Sequence, residues 1–163
     1  MPRNGYSIRG QFQTRLIEML ESPAHRALSL SALRILDRIS IELGHHGGQE
    51  NGALPCTYTN FVDFGIDRHA IAPAIRELVA LGFVEITERG RPGNGEFRTP
   101  NLYRLTFQPI LRRNKAPVQP THDWRGIDSI ESAQLIAQAA RRASDRVSAR
   151  PQRPNPTSHP ERC

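Results

Sequence analysis

Five residue positions on one short stretch carry the groups best suited to recognition chemistry. Arg68, His69, Ala72, Pro73 and Arg76 all fall within DRHAIAPAIRELVALGFV, residues 67–84. Arginine presents a planar fork of donors that matches phosphate oxygens and the edge of guanine. Histidine can donate to a base or a phosphate, and the apolar Ala72 and Pro73 can meet a thymine methyl. The plain alternative for each is a solvated helix face, with Arg76 paired to a nearby acid such as Glu77. A second group, Arg89, Arg91 and Arg98, lies in the glycine- and proline-rich stretch that follows, where Glu88 and Glu96 offset part of the charge.

Other chemistries find less support. His45, His46 and Glu50 are close in sequence, but adjacent histidines point apart and no third ligand has a zinc-like spacing. Cys56 and Cys163 are far apart and imply neither a disulfide framework nor a metal site. No nucleophile elbow, phosphate loop or paired-acid signature is present, so no enzyme activity, metal or cofactor is expected. No run of about 18 apolar residues occurs, so no membrane span is expected. The N-terminus lacks the apolar core of a secretory signal, and a cytoplasmic setting is the default expectation.

The elements that position these residues follow from periodicity and caps. Asp67 caps a helix in which Ile71, Ile75, Leu78 and Val79 form the buried face, and Gly82 ends it. Pro73 would be its sixth residue. A proline there removes the donor for the His69 carbonyl and crowds it, at a cost of about 3 kcal/mol in mid-helix. Either the helix bends on an exposed face or the regular helix starts near Pro73; the spacing of Ile71 and Ile75 favours a bent helix capped by Asp67. A shorter helix, YTNFVDF, is capped by Thr57 and closed by Gly65, with Ile66 plugging the turn. Upstream, Ser29 or Ser31 caps a helix whose broad apolar face is Leu30, Leu33, Ile35, Leu36, Ile39 and Leu43, and Gly44 ends it. ALPCTY reads as an edge strand that can tolerate Pro55. FVEITE and NLYRLTF alternate as half-buried strands around the loop RGRPGNGEFRTP.

Helix, turn, helix, strand, loop and strand in that order resemble the winged-helix family of bacterial DNA-binding domains, over about residues 29–107. The most telling part is AIRELVALGFVEITERG followed by NLYRLTF. The resemblance implies a mainly α fold with a small antiparallel β wing. It also implies a second helix lying in the major groove of double-stranded DNA, a wing touching the minor groove or backbone, and a role in transcriptional control or as an accessory factor of a replicon or mobile element. A second copy of the chain is a further expected partner. The competing reading is a module that binds another protein.

Charge sharpens that choice. Residues 1–107 carry 12 basic and 11 acidic side chains, and residues 108–163 carry 10 basic and 5 acidic. The excess therefore sits in the C-terminal part of a chain of net charge +6, which suits anionic partners. The organisation expected is an N-terminal arm with a short helix (1–28), the winged helix-turn-helix domain (29–107) and a linker (108–127) from which Trp124 packs as a satellite. A C-terminal helix (128–147) with a narrow apolar stripe and a disordered basic tail (148–163) complete it.

Overall fold

A computed structural model describes residues 9–93 and 99–143. Arg98, the end of the expected C-terminal helix (144–147) and the tail 148–163 lie outside the described residues. The described residues hold six α-helices and one three-stranded antiparallel sheet.

The chain opens with two short helices, α1 (Ile17–Glu21) and α2 (Pro23–Arg26), broken at Ser22. Ser22 ends the first and caps the second, its hydroxyl oxygen accepting from His25 N, and Pro23 sits in the first turn where its missing N–H costs nothing. The long helix α3 (Leu30–His45) is capped by Ser29 and runs past Gly44 rather than ending there, and Leu30, expected on its apolar face, is instead exposed in the first turn. Strand β1 (Leu54–Cys56) leads into α4 (Tyr58–Asp63), which Thr57 and Asn60 close with a reciprocal capping box. A tight turn follows, in which Gly65 adopts φ +88°.

Helix α5 (Arg68–Ala80) begins at Asp67, whose carboxylate accepts from His69 N at 2.9 Å, and it continues through Pro73. Strands β2 (Val84–Glu88) and β3 (Asn101–Leu105) complete the sheet, in the order β1-β3-β2. Pro55 thus lies on an edge strand. A bulge at Thr87 breaks the β2–β3 register, and its hydroxyl is taken up by the Gly52 and Leu102 carbonyls. Helix α6 (Ile130–Arg142) is capped by Ser129.

One core joins these elements. Ile35, Leu36 and Ile39 of α3 share it with Ile71, Ile75 and Leu78 of α5, and Leu54, Tyr103 and Leu105 bring in the sheet. Three expectations need correction. Val79 is 41% exposed rather than buried, because it lies at the edge of the stripe that Ile71, Ile75 and Leu78 define. Residues 108–127 are not a free linker: Ile110 bridges Val118, and the N–H groups of Thr121 and His122 both donate to the Thr106 carbonyl. Trp124 is not a satellite either. It belongs to the core, and its backbone abuts Gly82 so closely that a Cβ there would fall 2.6 Å from Trp124 N.

Candidate nucleic-acid interface

Two helices and a hairpin set the geometry of the basic residues. The α4–α5 turn is fixed from outside by Arg34 of α3, whose guanidinium donates to the carbonyls of Phe64 (3.2 Å) and Gly65 (3.1 Å). These carbonyls end α4 and have no helical donor, so a cation meets them favourably. The turn then delivers Arg68 and His69 at the exposed start of α5.

The β2–β3 hairpin is closed at its base by close backbone approach. A Cβ on Gly90 would fall 2.3 Å from the Thr99 carbonyl oxygen, so only glycine fits. Gly90 N donates to Asn101 Oδ1 at 2.7 Å, and Arg91 N donates to Thr99 Oγ1 at 2.9 Å. Arg89 and Arg91 extend from this base into solvent.

Between the hairpin base, the start of α4 and the start of α5 lies an open cleft of about 410 Å³. Arg68 and Arg91 line it together with Thr57, Tyr58, Thr59 and Asn101. Among the described residues, no side-chain hydrogen bond or ion pair engages Arg68, Arg89 or Arg91, so their donors face solvent. Cys56 also borders the cleft, but burial pushes its thiol up to about 12, which keeps it protonated and unreactive. Sequence reasoning assigned Thr57 only a capping role and missed Tyr58 and Thr59. Their signal was two threonines flanking a tyrosine where a strand enters a helix.

The remaining α5 residues divide. Ala72 and Pro73 are half-buried rather than open to solvent. Pro73 stands four residues before Glu77 and shares its flank of the helix. Arg76 is committed: Nε donates to the Ala140 carbonyl at 3.0 Å and Nη2 to the Arg141 carbonyl at 3.2 Å, both at the end of α6. The expectation that Arg76 lies open, or pairs with Glu77, is therefore corrected. Glu77, fully buried, instead accepts from Ser29 N (2.7 Å) and Ser29 Oγ (2.9 Å), and pairs with Arg141 Nη1 at 3.1 Å. Its carboxylate thus ties the start of α3 and the end of α6 to α5.

The two other groups considered from sequence are placed as follows. His46 lies between the carboxylates of Glu42 (3.3 Å) and Glu50 (3.1 Å), while His45 is exposed. Among the described residues no group of three histidine, cysteine, aspartate or glutamate side chains could hold a metal ion. No described helix is long and apolar enough to cross a membrane. No protein-family model, curated protein or solved structure matches this chain.

Proposed function

We propose that this chain is a winged helix-turn-helix protein that binds double-stranded DNA with sequence preference. Helix α5 enters the major groove by its first turn, and the β2–β3 hairpin serves as the wing. The observation that carries the reading is the shared cleft: Arg68 and Arg91, from separate elements and with guanidinium groups that no hydrogen bond or ion pair engages among the described residues, line it together. Arg68 stands where a helix inserted by its N-terminal half presents side chains to base edges. Arg91, with Arg89 beside it, suits the adjacent phosphate backbone. The hydroxyl of Thr59, which lines the same cleft, adds a neutral donor for phosphate oxygens. A role in transcriptional control, or as an accessory factor of a replicon or mobile element, fits this mode of binding.

Selection of bound sequences from a random duplex pool tests the reading. A recovered consensus supports it, and absence of enrichment at low salt overturns it. The second reading, a protein-interaction module, is favoured by the near balance of 12 basic and 11 acidic residues in 1–107. It becomes the better account if selection fails.

A further inference from the structure

Arg76 occupies a position that its backbone does not explain. Spacings of four, four and three place Arg68, Ala72, Arg76 and Val79 along one stripe of α5, the stripe that carries exposed Arg68 and Val79. Yet its guanidinium turns aside to the last carbonyls of α6. Those carbonyls belong to the final turn of α6 and take no helical donor among the described residues, so the cation both satisfies them and complements the negative end of the helix. We infer that docking of α6 is a latch on the proposed DNA-binding face: Arg76 caps α6 or contacts DNA, and cannot do both. The inference rests on the DNA-binding reading of α5.

Three features make the latch reversible. The side chains that α6 buries completely are alanines, Ala133 and Ala137, and Ile136 is only partly buried, so less apolar area resists release than holds α3 to α5. Two further ties are polar and can be replaced by water: the Arg76 bonds, and the Arg141–Glu77 pair. Release does not strand Glu77 either, because Ser29 N and Oγ still donate to it from α3. Finally, the exchange is open to DNA. Arg76 donates to two main-chain carbonyls of α6, and a phosphate or a guanine edge can take the same donors in a bidentate pair. Because one side chain serves both ends, the coupling is reciprocal: α6 weakens DNA binding by the factor by which DNA loosens α6.

The test uses the full chain and two neutral undocking variants, Ala137→Gln and Ala133→Gln. Each places a bulky polar group on the buried face of α6, which packs on α5 and α2, without altering charge. Melting and circular dichroism establish that the body remains folded. Affinity for a duplex is measured at fixed salt, and amide exchange is followed across residues 130–143. The latch predicts that each variant binds duplex at least about fivefold tighter than wild type, within the usual range of couplings between sites. Adding Arg76→Ala to either variant should remove that gain. Exchange of the α6 amides should quicken in wild type when duplex is added, and in Arg76→Ala without duplex. A variant that undocks α6 without tighter binding, or a gain that survives Arg76→Ala, overturns the latch. If no protein binds any duplex at low salt, the DNA reading has failed. The Arg76 tie is then judged on exchange alone, and unchanged α6 exchange in Arg76→Ala overturns it too.

Discussion

The two flanks of α5 are held by different forces. Toward α3, Ile71 and Leu78 are completely buried and Ile75 nearly so, against Ile35, Leu36 and Ile39. Each such side chain contributes about 1.5–3 kcal/mol of burial. Toward α6 the completely buried apolar groups are the methyls of Ala133 and Ala137, each worth roughly the 0.8 kcal/mol of a buried CH₂, with Ile136 partly buried beside them. Directed bonds from Arg76 and Glu77 do the rest. Area holds the first flank and is indifferent to small shifts. Bonding holds the second and depends on a few named atoms, so the body can stay folded while the α6 flank changes partners.

The largest effect should come from the first flank. Leu78→Ala opens a cavity at a fully buried position shared with α3 and should cost about 2–5 kcal/mol in denaturant unfolding. A loss under about 1 kcal/mol would mean that this flank is not held by area.

On the second flank, Glu77→Gln keeps the side-chain volume but weakens the bonds to Ser29 and the pairing with Arg141. Charged hydrogen bonds of this kind contribute about 1.5–3 kcal/mol, so the expected loss is in that range, with α6 amides exchanging faster than those of α3. Equal exchange in both helices would erase the distinction between the flanks.

Pro73→Ala acts on the same flank with the opposite sign. It restores a donor to the His69 carbonyl and removes the ring, but it also enlarges the unfolded ensemble. A rise in stability of less than about 2 kcal/mol is expected, since the intrinsic helix gain of about 3 kcal/mol is partly offset. If stability falls instead, the half-buried ring contributes packing that alanine cannot supply.

The smallest effect concerns α2, which packs against α6. Burial lowers the pKa of His25 from its ordinary 6.5, Arg15 lowers it further, and Asp37 opposes both. His122 shifts down in the same way, through burial and Arg125, against Glu18 and Asp123. The unfolded chain therefore binds these protons more readily. The stability from neutral His25 and His122 is fully present above pH 6.5 and is lost as pH falls below it toward the folded values. Melting temperature should decline below that pH, and His25→Gln should flatten part of the decline. An unaltered slope in His25→Gln would remove His25 from the acid loss and assign it to His122 and the carboxylates.

Much of α5 was legible because its signals are local. Asp67 caps it, Ile71, Ile75 and Leu78 keep helical spacing, and Gly82, at φ +82°, follows its end. Glu77 was not legible, since a glutamate on a helix reads as solvated. Its partners Ser29 and Arg141 are 48 and 64 positions away, and only the fold brings them together. Arg76 was misread for the same reason: its acceptors are main-chain carbonyls, which no side-chain pattern announces. Asn51 was lost within a glycine-rich loop, yet it is buried and bonds both the N–H and the carbonyl of Leu105. The cleft was half legible. Arg68 and Arg91 were singled out by type, but their meeting beside Thr57–Thr59 depends on the turn that Arg34 holds.

The most direct measurement of the central claim compares wild type with Arg68→Ala on a duplex obtained by selection and on a scrambled duplex, under one salt condition. If the first turn of α5 reads bases, the variant loses about 1–3 kcal/mol of affinity on the selected duplex, and much less on the scrambled one. An equal loss on both would reduce Arg68 to a phosphate contact, and no loss on either would contradict the placement of α5 in the groove.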